Sequence, residues 1–332
     1  MAGTGKGAGA VGVRQGRNKS RALAGLALAA VMLAAGCGSA GAPSGSSPAT
    51  PGPVSSAPGL PSAGARPSGG EVTPGSVYQG PISVLTPEAP GTAVYAGGGV
   101  TIDASNASEG YVMVKCEGIG SRVKVRVTHG GEEYLYNINN LGLYEVLPLQ
   151  MGSGEYEIKA FQQLEGTKYT PIYTASFNAE MPDEDRVFVY PSQYVWYTGE
   201  ADAVCLSYDL CSGVDDPEEM TRIIYDYLVG HMSYDYDKAA DVASGTLVGY
   251  IPDLGEVLAA GKGICFDYAG LLAAMLRAHE IPVRLVIGYL SPDGIYHAWN
   301  QVYLEGEWVW MDATLGPRDS HTEENYAQDR VY

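Results

Sequence analysis

Residues 38 to about 75 are almost entirely glycine, serine, alanine, proline and threonine. Such a composition cannot bury enough apolar surface to offset the entropy lost on ordering its backbone. Whatever this chain folds must therefore come from the residues that follow, about 250 of them, enough for two domains each with its own core. The stretch itself is expected to act as a tether, its reach set by flexible Gly/Ser segments and stiffer proline segments together.

From about residue 76 to 182 the pattern becomes one of short alternating runs. YVMVK at 111 to 115, VKVRV at 123 to 127, EYLYNI at 133 to 138, YEVLPL at 144 to 149, EYEIKAF at 155 to 161 and YTASFNAEM at 173 to 181 read as strands. Gly130-Gly131 and Gly152-Ser153-Gly154 supply turns between them. Six or seven short strands at this spacing predict a small all-β sandwich of immunoglobulin-like type over 76–182. A spacer and a binding module fit this part equally, and it carries no catalytic constellation.

Residues 183–332 read differently. Asp216 can cap a helix with Pro217 in its first turn and Glu219 at the capping-box position, and Met220, Ile223, Ile224, Tyr227 and Leu228 form its apolar face. Further on, a second apolar helical pattern opens at Cys265, runs through Leu271, Leu272, Met275 and Leu276, and is ended by Ile281-Pro282. The sulfur is thus expected at a helix N-terminus, where unpaired amides and the helix dipole favour a thiolate and can hold an oxyanion. A lone cysteine on such a helix is more often a small buried hydrophobe. Two later stretches change that reading. Residues 297 to 314 form two β-rich runs around Glu305-Gly306. With that pair as the turn, Leu304 faces Glu307, Tyr303 faces Trp308 and Trp299 faces Asp312; by period two His297 shares a face with Trp299. His297 and Asp312 become diagonal neighbours, roughly 7 to 8 Å apart between backbones. A slip of one residue would send them to opposite faces. A nucleophilic Cys265, a general base and acid in His297 and an orienting carboxylate in Asp312 make a set suited to acyl transfer.

At this point the chain resembles a known family. Gly263, Cys265, Asp267, Tyr268 and Ala269, then Arg277, Ile281-Pro282, Gly288-Tyr289, His297-Ala298-Trp299, Trp308, Asp312 and Thr314 resemble the bacterial transglutaminase-like superfamily over roughly residues 183 to 332. Ala313 stands where that family often has proline. The resemblance implies an α+β, papain-like C-terminal domain behind the sandwich, and chemistry on amide bonds of protein or peptide substrates through a thioacyl-enzyme. An amine acceptor then gives transamidation, and water gives hydrolysis by a cysteine peptidase or amidase. Some members keep the fold only for binding, and a cysteine sealed beneath Trp299 or Trp310 would fit that case. Relatives add an upstream side chain to the oxyanion site. The run Tyr234 to Asp237 stands at about that distance and makes Tyr236 a candidate, although in a chain with 24 tyrosines packing is the commoner role.

The N-terminal residues set the expected compartment. Lys6, Arg14, Arg17, Lys19 and Arg21 precede an apolar stretch from Ala22 to Ala35, a signal-peptide layout over 1–36 that is too short to span a membrane stably. LAAGC at 33 to 37 resembles a lipobox, with Ala34 where leucine is commonest. The resemblance implies lipidation of Cys37 and an extracytoplasmic protein anchored to the bacterial membrane by that lipid, with the tether over 37–75. The formal net charge of −18 leaves no basic footprint for nucleic acid. Of the five cysteines, Cys205 and Cys211 are close enough in sequence for a disulfide outside the cytoplasm. No cofactor is called for. Asp235, Asp237 and Asp241 resemble half of a calcium loop but lack its glycine and further oxygen ligands, so no metal is expected.

Overall fold

The computed structural model describes residues 78–316 and 321–332. The expected signal peptide, the expected lipidation at Cys37 and the expected tether lie outside the described residues.

Eight strands make the N-terminal part: β1 (Val94–Gly97), β2 (Val100–Asp103), β3 (Tyr111–Cys116), β4 (Val123–His129), β5 (Glu132–Ile138), β6 (Glu145–Pro148), β7 (Gly154–Glu165) and β8 (Lys168–Ala179). They form two four-stranded antiparallel sheets, ordered β1-β2-β3-β6 and β5-β4-β7-β8. Inward residues of both sheets, among them Ile102, Val114, Val125, Tyr136, Leu147 and Ile158, share one buried core. The six expected strands all form. The additional pair, β1 and β2, turns through Gly98 and Gly99, both with φ near +60 to +80°, a hairpin turn that favours glycine. At the β6–β7 corner, the Tyr156 hydroxyl hydrogen-bonds the carbonyls of Leu149 (2.9 Å) and Gly152 (2.8 Å), the arrangement of a tyrosine corner.

The leading segment departs from expectation. Residues 78–84, placed with the sandwich from sequence, run along the C-terminal part, and Leu85 reaches the sandwich at Tyr111, Met113 and Val146. Ile82 and Val84 pack on the C-terminal core, the Tyr78 amide donates to Asp209 (2.6 Å) and the Tyr208 hydroxyl to the Ser83 carbonyl (3.0 Å). An extended segment of this length has no ladder of its own and takes its partners from a neighbouring surface.

The C-terminal part contains α1 (Asp202–Leu210), α2 (Pro217–His231), β9 (Ser233–Tyr234), α3 (Tyr236–Ser244), α4 (Leu254–Ala260), β10 (Lys262–Gly263), α5 (Cys265–Arg277), β11 (Val283–Leu290), β12 (Ile295–Leu304), β13 (Glu307–Met311) and β14 (Tyr326–Val331). It is α+β, with an antiparallel sheet ordered β13-β12-β11-β14 and a short parallel pair between β9 and β10. Asp216 caps α2 through the Glu219 amide (2.9 Å), whereas the Glu219 side chain turns to Arg222 (2.5 Å) rather than back to the cap. The helix carrying Cys265 is the centre of the domain: Leu271 to Leu276 are all fully buried, as expected of a helix apolar on every side. Its far end holds Arg277, only 1% exposed, which donates to the carbonyls of Val283, Tyr190 and Tyr332 at 2.6 to 3.0 Å.

Cys205 and Cys211 are both free, which corrects the expected disulfide. Cys205 lies within α1 and Cys211 caps it. Six residues of helix separate them by roughly 9 Å, beyond the Cα spacing a disulfide spans.

Candidate active site

The hairpin β12–β13 has the register counted from sequence. Glu305 and Gly306 both have positive φ, 51° and 90°, giving a two-residue turn, and Leu304 pairs Glu307 and Tyr303 pairs Trp308. His297 and Asp312 accordingly converge: Nε2 of the imidazole lies 2.6 Å from Oδ2 of the carboxylate. Both are buried, with side chains 8% and 1% exposed.

Asp312 is held at every lone pair. Oδ2 also accepts from the Tyr326 hydroxyl (2.9 Å), and Oδ1 accepts from the amides of Thr314 (2.9 Å) and Leu315 (3.2 Å). Burial alone would raise the carboxyl's pKa, but the His297 hydrogen bond and charge, with Tyr326 and the Leu315 amide, bring it below the usual carboxylate value. Burial alone would likewise lower the imidazole. Hydrogen bonds to Asp312 and Cys265 and the charges of both outweigh it and push His297 up to about 10. Since Asp312 occupies Nε2, Nδ1 is the nitrogen left for the thiol.

Cys265 is the first residue of α5 and partly exposed. Its position contrasts with Cys116 and Cys211, both buried, whose thiols burial pushes up to about 11; those are inert packing sulfurs. Trp299 and Trp310 do not seal Cys265. They pack against Tyr326, with ring centroids 5.0 and 4.8 Å from it. Gly288, opposite His297 in β11, makes that packing possible, because a Cβ there would overlap the Ala327 carbonyl and lie 2.8 Å from the Trp299 ring.

Two upstream tyrosines stand near the start of α5. Tyr236 begins α3, is 77% exposed and meets Tyr234 only edge-on at 5.0 Å. Tyr234 pairs with Gly263, two residues before Cys265. Burial and then the nearby Cys265 charge push its hydroxyl up to about 12, so it stays neutral. The strand pair redirects the chain at Asp235, which caps α3 through the Lys238 amide (3.0 Å) and meets Lys262 (3.0 Å). Tyr326 is the contact that sequence reasoning missed, because it reaches Asp312 from β14 at the opposite end of the sheet order.

Residues 206–313 match the Transglutaminase-like superfamily. The chain is similar to human kyphoscoliosis peptidase, 28% identical over 151 residues that make up 42% of this chain and 22% of that protein. It is similar also to the mouse kyphoscoliosis peptidase, 30% identical over 118 residues, 32% and 17% of the two chains. The chain thus spans about a fifth of the length of the curated relatives it matches. Among solved structures, red sea bream transglutaminase aligns over 61% of this chain and 47% of its own at 9% identity, with a TM-score of 0.24. The chain carries a domain of the transglutaminase-like superfamily over residues 206–313.

Proposed function

We propose that this chain is a thiol acyl-transfer enzyme acting on amide bonds of protein or peptide substrates through Cys265, His297 and Asp312. The observation that carries the reading is the buried His297–Asp312 contact of 2.6 Å with a partly exposed helix-N-terminal cysteine on the imidazole's other side. Sγ attacks the substrate carbonyl, and the imidazolium Nδ1 proton passes to the departing nitrogen, leaving a thioester. An acceptor then gives its proton to Nδ1 as it attacks, and the thiolate leaves. The Cys265 amide, with no helical carbonyl upstream to take it, and the Tyr234 hydroxyl are the donors offered to the oxyanion.

The primary reading is transfer to an amine, as in the superfamily name. Hydrolysis is the second reading, supported by the peptidase names of both curated relatives. The basic, apolar and LAAGC features of residues 1–37 support an extracytoplasmic protein held to a bacterial membrane by a lipid on Cys37, with the tether and an immunoglobulin-like sandwich carrying the enzyme. Incubation of the full chain with a protein substrate and a labelled primary amine tests both readings. Ammonia release with label incorporation, absent in Cys265→Ala, supports transamidation. New peptide ends support proteolysis, and neither product across acyl donors would return the chain to a non-catalytic binding role.

A further inference from the structure

Asp267 stands in the first turn of the helix that presents Cys265, and its side chain is fully buried. Its Oδ2 accepts from the Ile264 amide (2.8 Å) and from Nζ of Lys238 (2.9 Å), and its Oδ1 accepts from the Tyr250 hydroxyl (2.6 Å). Lys238 also donates to the Tyr250 oxygen (3.0 Å). Gly263 lets the carboxylate tuck under the chain, since a Cβ there would lie 2.7 Å from that of Asp267. A capping carboxylate at this position is costly to bury without a cation. It also stands in the same first turn, two residues on from a sulfur that must itself become negative, so the two anions compete for the same helix end.

Resting on the assignment of Cys265 as nucleophile, we propose that Lys238 is a positioning residue for the thiolate: its ammonium balances the buried Asp267 carboxylate, so that charge on Sγ is not opposed by a fixed anion two residues away. Burial would lower the Lys238 ammonium's pKa, but its hydrogen bonds to Tyr250 and Asp267 raise it above the ordinary value, which keeps it a cation across the working range. Tyr250, pushed up to about 12 by burial and by Asp267, remains a neutral donor. Among the described residues no other cation pairs with Asp267. Lys262 is engaged by Asp235 at 3.0 Å and Asp237 at 3.9 Å. His297 and Tyr296 from β12 and Tyr234 from β9 act on or feel Cys265. Since Lys238 comes from α3 and Tyr250 from the segment before α4, the protonation of the thiol is tied to how these pieces seat on α5.

The test is the pH dependence of Cys265 alkylation by iodoacetamide in the full chain, read on the Cys265 peptide by mass spectrometry. Lys238→Met is expected to move the midpoint up by about one pH unit, and Lys238→Arg to restore it. Asp267→Asn leaves the cation without its anion and is expected to move the midpoint down. Lys238→Met with Asp267→Asn returns it near wild type. A packing role alone cannot give shifts of opposite sign. Unchanged midpoints, or shifts in the same direction for Lys238→Met and Asp267→Asn, overturn the proposal. If Lys238→Met fails to fold, the direction of the Asp267→Asn shift decides. His297→Ala in the same series separates the two ideas: no effect there refutes the triad, while the charge variants still judge Lys238.

Discussion

Asp312→Asn is the substitution that asks most of the site. Both carboxylate oxygens act as acceptors, Oδ2 from His297 and Tyr326, Oδ1 from two backbone amides. An amide has one acceptor oxygen. Turned towards the Thr314 and Leu315 amides, it presents its NH2 to Nε2 and forces the tautomer with the proton on Nδ1, the wrong one for a base facing sulfur. Turned the other way, it sets NH2 against two N–H donors. The electrostatic loss can be sized from His297. Its pKa stands at about 10 against an ordinary 6.5, and 3.5 units at about 1.4 kcal/mol each is about 5 kcal/mol as a ceiling. Part of that belongs to Cys265, so the variant is expected to lose about 3 kcal/mol of imidazolium stabilisation. Acyl transfer should fall by roughly 10² to 10⁴.

The pH dependence has a definite sign. A histidine with a raised pKa contributes stability in full below its unfolded value near 6.5 and loses it as pH rises through about 10. Asp312, with its pKa lowered, contributes above the ordinary carboxylate value near 4 and loses that contribution as pH falls. The stability gap between wild type and Asp312→Asn should therefore be widest between about pH 4.5 and 6.5 and close towards pH 10. Imidazole NMR titration of His297 with parallel urea melts measures both quantities. A wild-type midpoint near 6.5, or one that Asp312→Asn leaves in place, refutes the reasoning.

Three further substitutions probe the frame around the site. Arg277→Met removes the guanidinium donor from the carbonyls of Val283, Tyr190 and Tyr332, the last of which still accepts from the Leu285 amide, and should cost about 3 to 5 kcal/mol in urea melts; a loss under 1 kcal/mol would contradict the bonding described. Gly288→Ala drives a methyl against the Ala327 carbonyl and Trp299. It should cost about 1 to 3 kcal/mol and slow Cys265 alkylation by displacing Tyr326, whereas a crystal structure with β14 unmoved would exclude that route. Tyr156→Phe removes the hydroxyl at the β6–β7 corner and should lower stability by about 1 to 2 kcal/mol while leaving Cys265 alkylation at its wild-type rate.

What was legible in the sequence was local. The Glu305-Gly306 turn pins the register, and period-two counting from it carries His297 to Asp312 across 15 residues. Asp216-Pro217 marks the start of α2 because its cap is made by the residue type itself. The contacts that escaped reading depend on closure between distant elements. Tyr326 reaches Asp312 only once β14 has paired with β11. Tyr234 is set opposite Gly263 by a two-residue parallel bridge too short to leave a pattern. The acidic run at 235 to 241, half of a calcium loop by spacing, is a helix start whose first aspartate caps and pairs with Lys262.

The sandwich bears on the chemistry more directly than a spacer would. Tyr332, the last residue, sets its ring edge against Tyr134 of β5 at 5.4 Å and Tyr194 at 4.5 Å, and Tyr194 in turn meets Phe266 at 5.8 Å, the neighbour of Cys265. At the other end of the same helix, Arg277 holds the Tyr332 carbonyl. Arg330 donates to the Glu133 carbonyl, and the Val331 amide to the Tyr134 hydroxyl. The strand that brings Tyr326 to Asp312 is therefore the strand fastened to the sandwich, and the helix that presents the thiol leans on the same aromatic group. Because packed interiors shift by discrete steps rather than yield gradually, loosening β5 would be felt at both the carboxylate and the sulfur. The two cores fold around separate residues, yet the geometry of the site belongs to both.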